Sequence, residues 1–188
     1  FFVVVTVVIG FIADVPDPGV MDLPPRKPGT RIVNTPQVVR WAISGFLVAV
    51  SALSVLEWGP DEPSATAGSM SMTMSFAVVA FSAVNLGVVM RRERQAPWSS
   101  PMFPYFGWLI AGWSLTWAAV ELGMLQRLLD TVTLTGGQWL VVLGLSLITP
   151  AFVGIDKAIQ LHRLKPAAVG AVGDTLPANQ SDRPTALV

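Results

Sequence analysis

Ser82 and Asn85 are the two side chains within the apolar stretch Met70–Met90 (MSMTMSFAVVAFSAVNLGVVM) whose types and spacing suggest ion chemistry. On a helix, residues at i and i+3 share a face, so a hydroxyl and a carboxamide would project side by side. Both offer oxygen, the donor that replaces water around a hard cation. Such a cation needs several oxygens, with carboxylates to offset its charge, and Met70–Met90 contains no Asp or Glu. Neutral polar residues on apolar helices more often hydrogen-bond a neighbouring helix. Packing is therefore the reading carried forward, and cation binding by Ser82 and Asn85 the alternative.

The other reactive residue types offer less. Glu57 and Glu121 stand near the ends of apolar blocks, where a carboxylate reaches interfacial water, so solvation is the leading reading and a proton or cation role the alternative. His162 lies beside Arg163 and near Lys165, and a lone histidine makes no metal site. The chain has no cysteine, which excludes disulfides and thiolate-bound metal. No metal site, cofactor or catalytic residue is expected. Trp108, Trp113 and Trp117 have the rings to stack on a ligand, but interfacial anchoring and helix packing account for them. Gly136-Gly137 reads as a turn before a helix, not as a phosphate cradle.

The elements that must carry these residues follow from composition. With 52% apolar and 13% charged residues, and the apolar ones in long blocks, a water-soluble domain could hardly bury them. The expectation is an all-α, polytopic membrane bundle in a lipid bilayer. Residues 1–13 form an apolar block shorter than the twenty or so a spanning helix needs. They are read as part of a helix that continues upstream of Phe1. A signal peptide fits less well, because no Met or basic region precedes the block and Asp14 with the following prolines replaces a cleavage site.

A proline-rich connector, 14–37, leads to a bundle over 38–164 with four full spans, about 38–58, 70–90, 104–125 and 138–160. Small residues such as Ser44, Gly45, Ser51, Gly87, Gly107 and Gly112 would let helices approach closely. Pro150 should loosen the last span, which neighbouring helices can tolerate by re-satisfying its backbone. Residues 165–188 are rich in Pro, Ala and Gly without periodicity and are expected to be a disordered tail.

Formal net charge is zero, but its distribution sets orientation. Arg26, Lys27, Arg31 and Arg40, then Arg91, Arg92 and Arg94, then Lys157, Arg163, Lys165 and Arg183 fall on one side of the predicted spans, with Arg127 opposite. The basic side is cytoplasmic by the positive-inside rule. The first connector, the Arg91 hairpin and the C-terminus then face the cytoplasm, and the Asp61/Glu62 and Arg127 loops face outward. The pattern suits a bacterial inner membrane, and nothing in it points to nucleic acid.

The connector Met21-Asp22-Leu23-Pro24-Pro25-Arg26-Lys27-Pro28-Gly29 resembles the one that follows the sixth membrane helix of P-type cation pumps of the calcium and sodium/potassium class, with Met21, Asp22, Pro24, Pro25 and Arg26 carrying the motif. Met72-Thr73-Met74 with Asn85 is similar to that family's eighth helix, Ala96-Pro97-Trp98 to the turn after it, and Gln138-Trp139-Leu140 with Asp156 and Lys157 to the tenth. The resemblance covers nearly the whole chain except the tail. It implies the end of helix six followed by helices seven to ten, a scaffold beside the helices that carry the ion.

It also implies departures from the family. Counting back from Met21, Val4 stands where helix six would present its cation-binding Asp, and Thr6 near its usual Pro. The acidic ligand that helix eight carries in some members falls near Ser82. Neither an Asp-Lys-Thr-Gly-Thr phosphorylation motif nor a stretch long enough for the family's cytoplasmic domains occurs. The chain is thus not expected to hydrolyse ATP by itself. Its expected partner is the remainder of a P-type ATPase. The alternative is a free-standing, non-catalytic subunit of a pump or another membrane complex, or a degenerate remnant. An independent small transporter is disfavoured, since no span carries a central charge and no inverted repeat is visible.

Overall fold

A computed structural model describes residues 2–14, 33, 35–64, 67–91 and 103–173, and every regular element among them is a helix. In chain order these are α1 (Phe2–Ile12), α2 (Thr35–Trp58), α3 (Met70–Met90), α4 (Phe103–Glu121), α5 (Gly123–Leu129), α6 (Gly136–Ser146) and α7 (Ile148–Gly173). Thr35–Trp58, Met70–Met90 and the joined Gly136–Gln160 are long and apolar enough to cross a membrane, and α4 with α5 adds a fourth if that bent pair is one span. The shorter Val3–Ile12 is apolar but does not reach that length.

The helix starts are built by side chains that take up the free N–H groups of the first turn. At α3, Met70 N and Ser71 N donate to the Asp61 carboxylate at 2.8 and 2.7 Å, while Met72 N donates to the N-cap hydroxyl of Ser69 at 3.4 Å. At α6, Thr135 and Gln138 form a reciprocal capping box. Helix α2 begins at Thr35, inside what reads in the sequence as connector. Pro36 permits this because in a first turn its missing N–H has no partner to lose.

Two spans depart from the sequence expectation. The block 104–125 is not one helix: α4 stops at Glu121, Leu122 is extended, and α5 leaves at 80°. The carbonyls freed at this corner are taken up by Gln126 Nε2 on Val120 O at 2.6 Å and Thr131 Oγ1 on Ala119 O at 2.7 Å. The block 138–160 begins at Gly136 and breaks at Leu147, so that Pro150 sits in the first turn of α7. The stretch from Lys165, expected to be a disordered tail, is helical as far as Gly173, where α7 ends. Residues 174–188 lie outside the described residues.

Helix α3 is the centre of the bundle. It contacts α1, α2, α4, α6 and α7, and 56% of its spanning window is buried against 22% for α2 and for α6–α7. The core gathers Met74, Ala77, Val78 and Phe81 of α3 with Val55, Val120, Leu134 and Val142. Close approach depends on glycine at several points, Gly87 and Gly112 among them. A Cβ on Gly87 would lie 2.6 Å from Tyr105 Oη, and one on Gly112 would lie 3.0 Å from a Val84 methyl. Gly45 and Gly107, expected to do the same, meet nothing within 4 Å. Large apolar side chains such as Phe46, Leu140 and Ile155 point outward, as a lipid-facing surface requires.

Candidate functional site

Ser82 and Asn85 meet α4 and α6 in a buried polar cluster. Proline at 150 has no N–H to offer the carbonyl four residues earlier, at Ser146. Ser82 Oγ donates to that carbonyl at 3.4 Å. Asn85 Nδ2 donates to Ser146 Oγ at 3.5 Å, and Ser146 Oγ donates to Leu143 O at 2.9 Å. On the other side, Trp113 Nε1 donates to Asn85 Oδ1 at 3.1 Å. Ser82, Ser146 and Thr149 are fully buried and Asn85 nearly so. Among the described residues, Thr149 Oγ1 is a buried polar atom without a hydrogen-bond partner.

This arrangement is neutral, and its best oxygen ligand is occupied. The Asn85 carbonyl accepts an indole N–H, so a cation would have to displace that bond. No group of three or more His, Asp or Glu side chains capable of holding a metal occurs among the described residues. The sequence identifies Ser82 and Asn85 as a pair. Ser146 and Trp113 as their partners become visible only once α4 and α6 are packed on α3, although Pro150 already marks Ser146 as a carbonyl in need of a donor.

The remaining sequence candidates scatter. Val4, in the place of the resemblance's Asp, is 53% exposed on α1. Glu57 and His162 are exposed, and Glu121 accepts Trp139 Nε1 at 3.0 Å beside the corner after α4. The connector residues Met21, Asp22, Pro24, Pro25 and Arg26, and the turn Ala96-Pro97-Trp98, lie outside the described residues.

Each end of the bundle carries charge chemistry that sequence reasoning missed. Arg91, read from the sequence as one of the basic residues that end the span 70–90, is buried. Its Nε and a terminal nitrogen donate to the two Asp14 oxygens at 2.5 and 2.7 Å, with the side chains 0% and 7% exposed. The guanidinium also lies over the Tyr105 ring, 5.5 Å from its centre. The pair ties the residues after α1 and α3 to the start of α4. An acid just past one apolar block and an arginine just past another are the sequence signal. At the opposite end, Asp61 accepts from the hydroxyls of Ser71 and Ser69 as well as from the two backbone groups of α3. Hydrogen bonds, that of the Ser71 side chain foremost, lower its pKa from 3.8 to about 2.

A family model described as the C-terminus of cation-transporting ATPases matches residues 2–159. No curated protein matches the chain.

Proposed function

This chain belongs to the C-terminal region of the cation-transporting ATPases, and from that premise we propose that it braces the ion-carrying helices of a P-type pump without binding the ion itself. The observation that carries this reading is the engagement of both ends of the Asn85 amide: its oxygen accepts from Trp113 and its nitrogen donates to Ser146. Polar side chains at the centre of the bundle are thus spent on holding α3 to α4 and α6. One sequence feature supports the reading, the lack of a phosphorylation motif. ATP hydrolysis and ion selection then belong to other parts of the pump polypeptide. The basic end of the spans faces the cytoplasm, in a membrane of bacterial inner-membrane type.

Val4, at the helix-six position that the family gives to an Asp, favours a second reading, a free-standing non-catalytic membrane subunit or degenerate remnant that associates with a pump or another membrane complex. Equilibrium dialysis against labelled calcium, sodium and potassium tests the first reading. The Ser82→Ala and Asn85→Ala proteins are expected to bind as the unsubstituted protein does. Loss of specific binding in either variant would show that this region supplies a ligand, and would overturn the bracing role.

A further inference from the structure

At the basic end of the bundle a cleft of about 360 Å3 opens between α2, α3 and α7. Its mouth holds Arg40, Asp156 and Lys157, and its walls include Trp41, Met90 and Phe152. Arg40 Nε lies 3.1 Å from Asp156 Oδ2, yet the two side chains remain 43% and 35% exposed. Lys157 Nζ donates to Val89 O at the last turn of α3, at 3.2 Å. Two cations and one carboxylate leave the mouth with a net positive charge.

The cleft is graded along the span. On α7, Phe152 precedes Asp156 by one turn and lies on the same face, deeper along the helix. Trp41 is 50% exposed and Phe152 39%, so both present ring surface to whatever fills or borders the cleft. A soluble anion would use the charged mouth and leave the aromatic walls unfilled. A lipid matches both halves, and basic pockets between spanning helices suit phosphate head groups, with tryptophan at the level where head group meets acyl chain.

We infer that the cleft between α2, α3 and α7 is a binding site for an anionic glycerophospholipid, its phosphodiester at Arg40 and Lys157 and its acyl chain along Trp41 and Phe152. Asp156, 3.1 Å from Arg40, limits the site's positive charge. The inference concerns lipid binding alone and stands whether or not the bracing role does.

The test is photolabelling of the protein in phosphatidylcholine vesicles, with trace photoactivatable phosphatidylglycerol in one set and photoactivatable diacylglycerol, which lacks the phosphate, in the other. The phosphatidylglycerol probe is expected to label the peptides around Trp41 and Phe152 several-fold more than diacylglycerol does. Arg40→Gln and Lys157→Gln should each lower that labelling, roughly fivefold per basic residue removed. Asp156→Asn should raise it, a response in the opposite direction that loss of fold would not give. Equal labelling by both probes would reduce the cleft to ordinary lipid contact and overturn the inference. Equal loss of labelling in all three variants would overturn it as well. Displacement by millimolar inorganic phosphate would assign the mouth to a soluble anion, with the same consequence.

Discussion

At the residue scale, the buried pair of Arg91 and Asp14 is the group whose removal should be felt most. Taking two charges out of water is costly, and the bidentate contact offsets this only while both partners are present. Asp14→Asn or Arg91→Met alone should therefore destabilise the bundle by roughly 3–5 kcal/mol. The double replacement by apolar residues should cost much less than the sum, because no unpaired charge is left behind. Unfolding titrations of the two single variants and the double variant would check this. Additive losses would show that the two side chains do not act as a pair. The central cluster teaches a different lesson about legibility. Ser82 and Asn85 stand out in the sequence because they are polar among apolar neighbours. Their role does not, because it depends on a carbonyl exposed by Pro150 more than sixty positions away.

At the element scale, hydropathy identifies where apolar helices lie but not where they bend. The stretch 104–125 reads as continuous because Leu122 and Gly123 are as apolar as their surroundings. What turns the chain there is a pair of side-chain hydrogen bonds from Gln126 and Thr131, and hydropathy does not register these. The start of α3 is a second such device. Asp61 closes its first turn from the preceding loop, and those bonds lower its pKa from 3.8 to about 2. The folded state therefore holds the carboxylate more strongly than the unfolded chain does. Its contribution to stability is fully present above about pH 4 and is lost as the pH falls through about 2. Stability of the unsubstituted protein and of Asp61→Asn, measured from pH 5 downward, should converge across that window. A difference that stays constant with pH would show that the charged form of Asp61 does not cap the helix. In both cases the signal is a polar residue beyond the end of an apolar helix, and its partner is set only by the fold.

At the scale of the whole molecule, α3 at the centre with α1, α2, α4, α6 and α7 around it makes a bundle in which Ser82, Asn85, Trp113 and Ser146 bond to one another across three helices. That arrangement suits a support for neighbouring helices better than a path for ions. The class of fold was legible in the long apolar blocks, and the family in a connector motif and a few spaced residues. The partners that surround the bundle leave no mark in this sequence. Orientation is testable directly: a reporter fused after Val188 should be cytoplasmic, and one inserted between Glu62 and Ser69 external, whereas the reverse would contradict both the charge reading and the helix order implied by the family. The central claim, that these helices are the bracing region of a larger pump polypeptide, is tested most directly by the intact mass of the native polypeptide, extracted from its membrane and detected with an antibody against residues 165–188. The account predicts a mass several times that of this chain. A mass equal to the chain alone would contradict it and make the protein a free-standing membrane subunit.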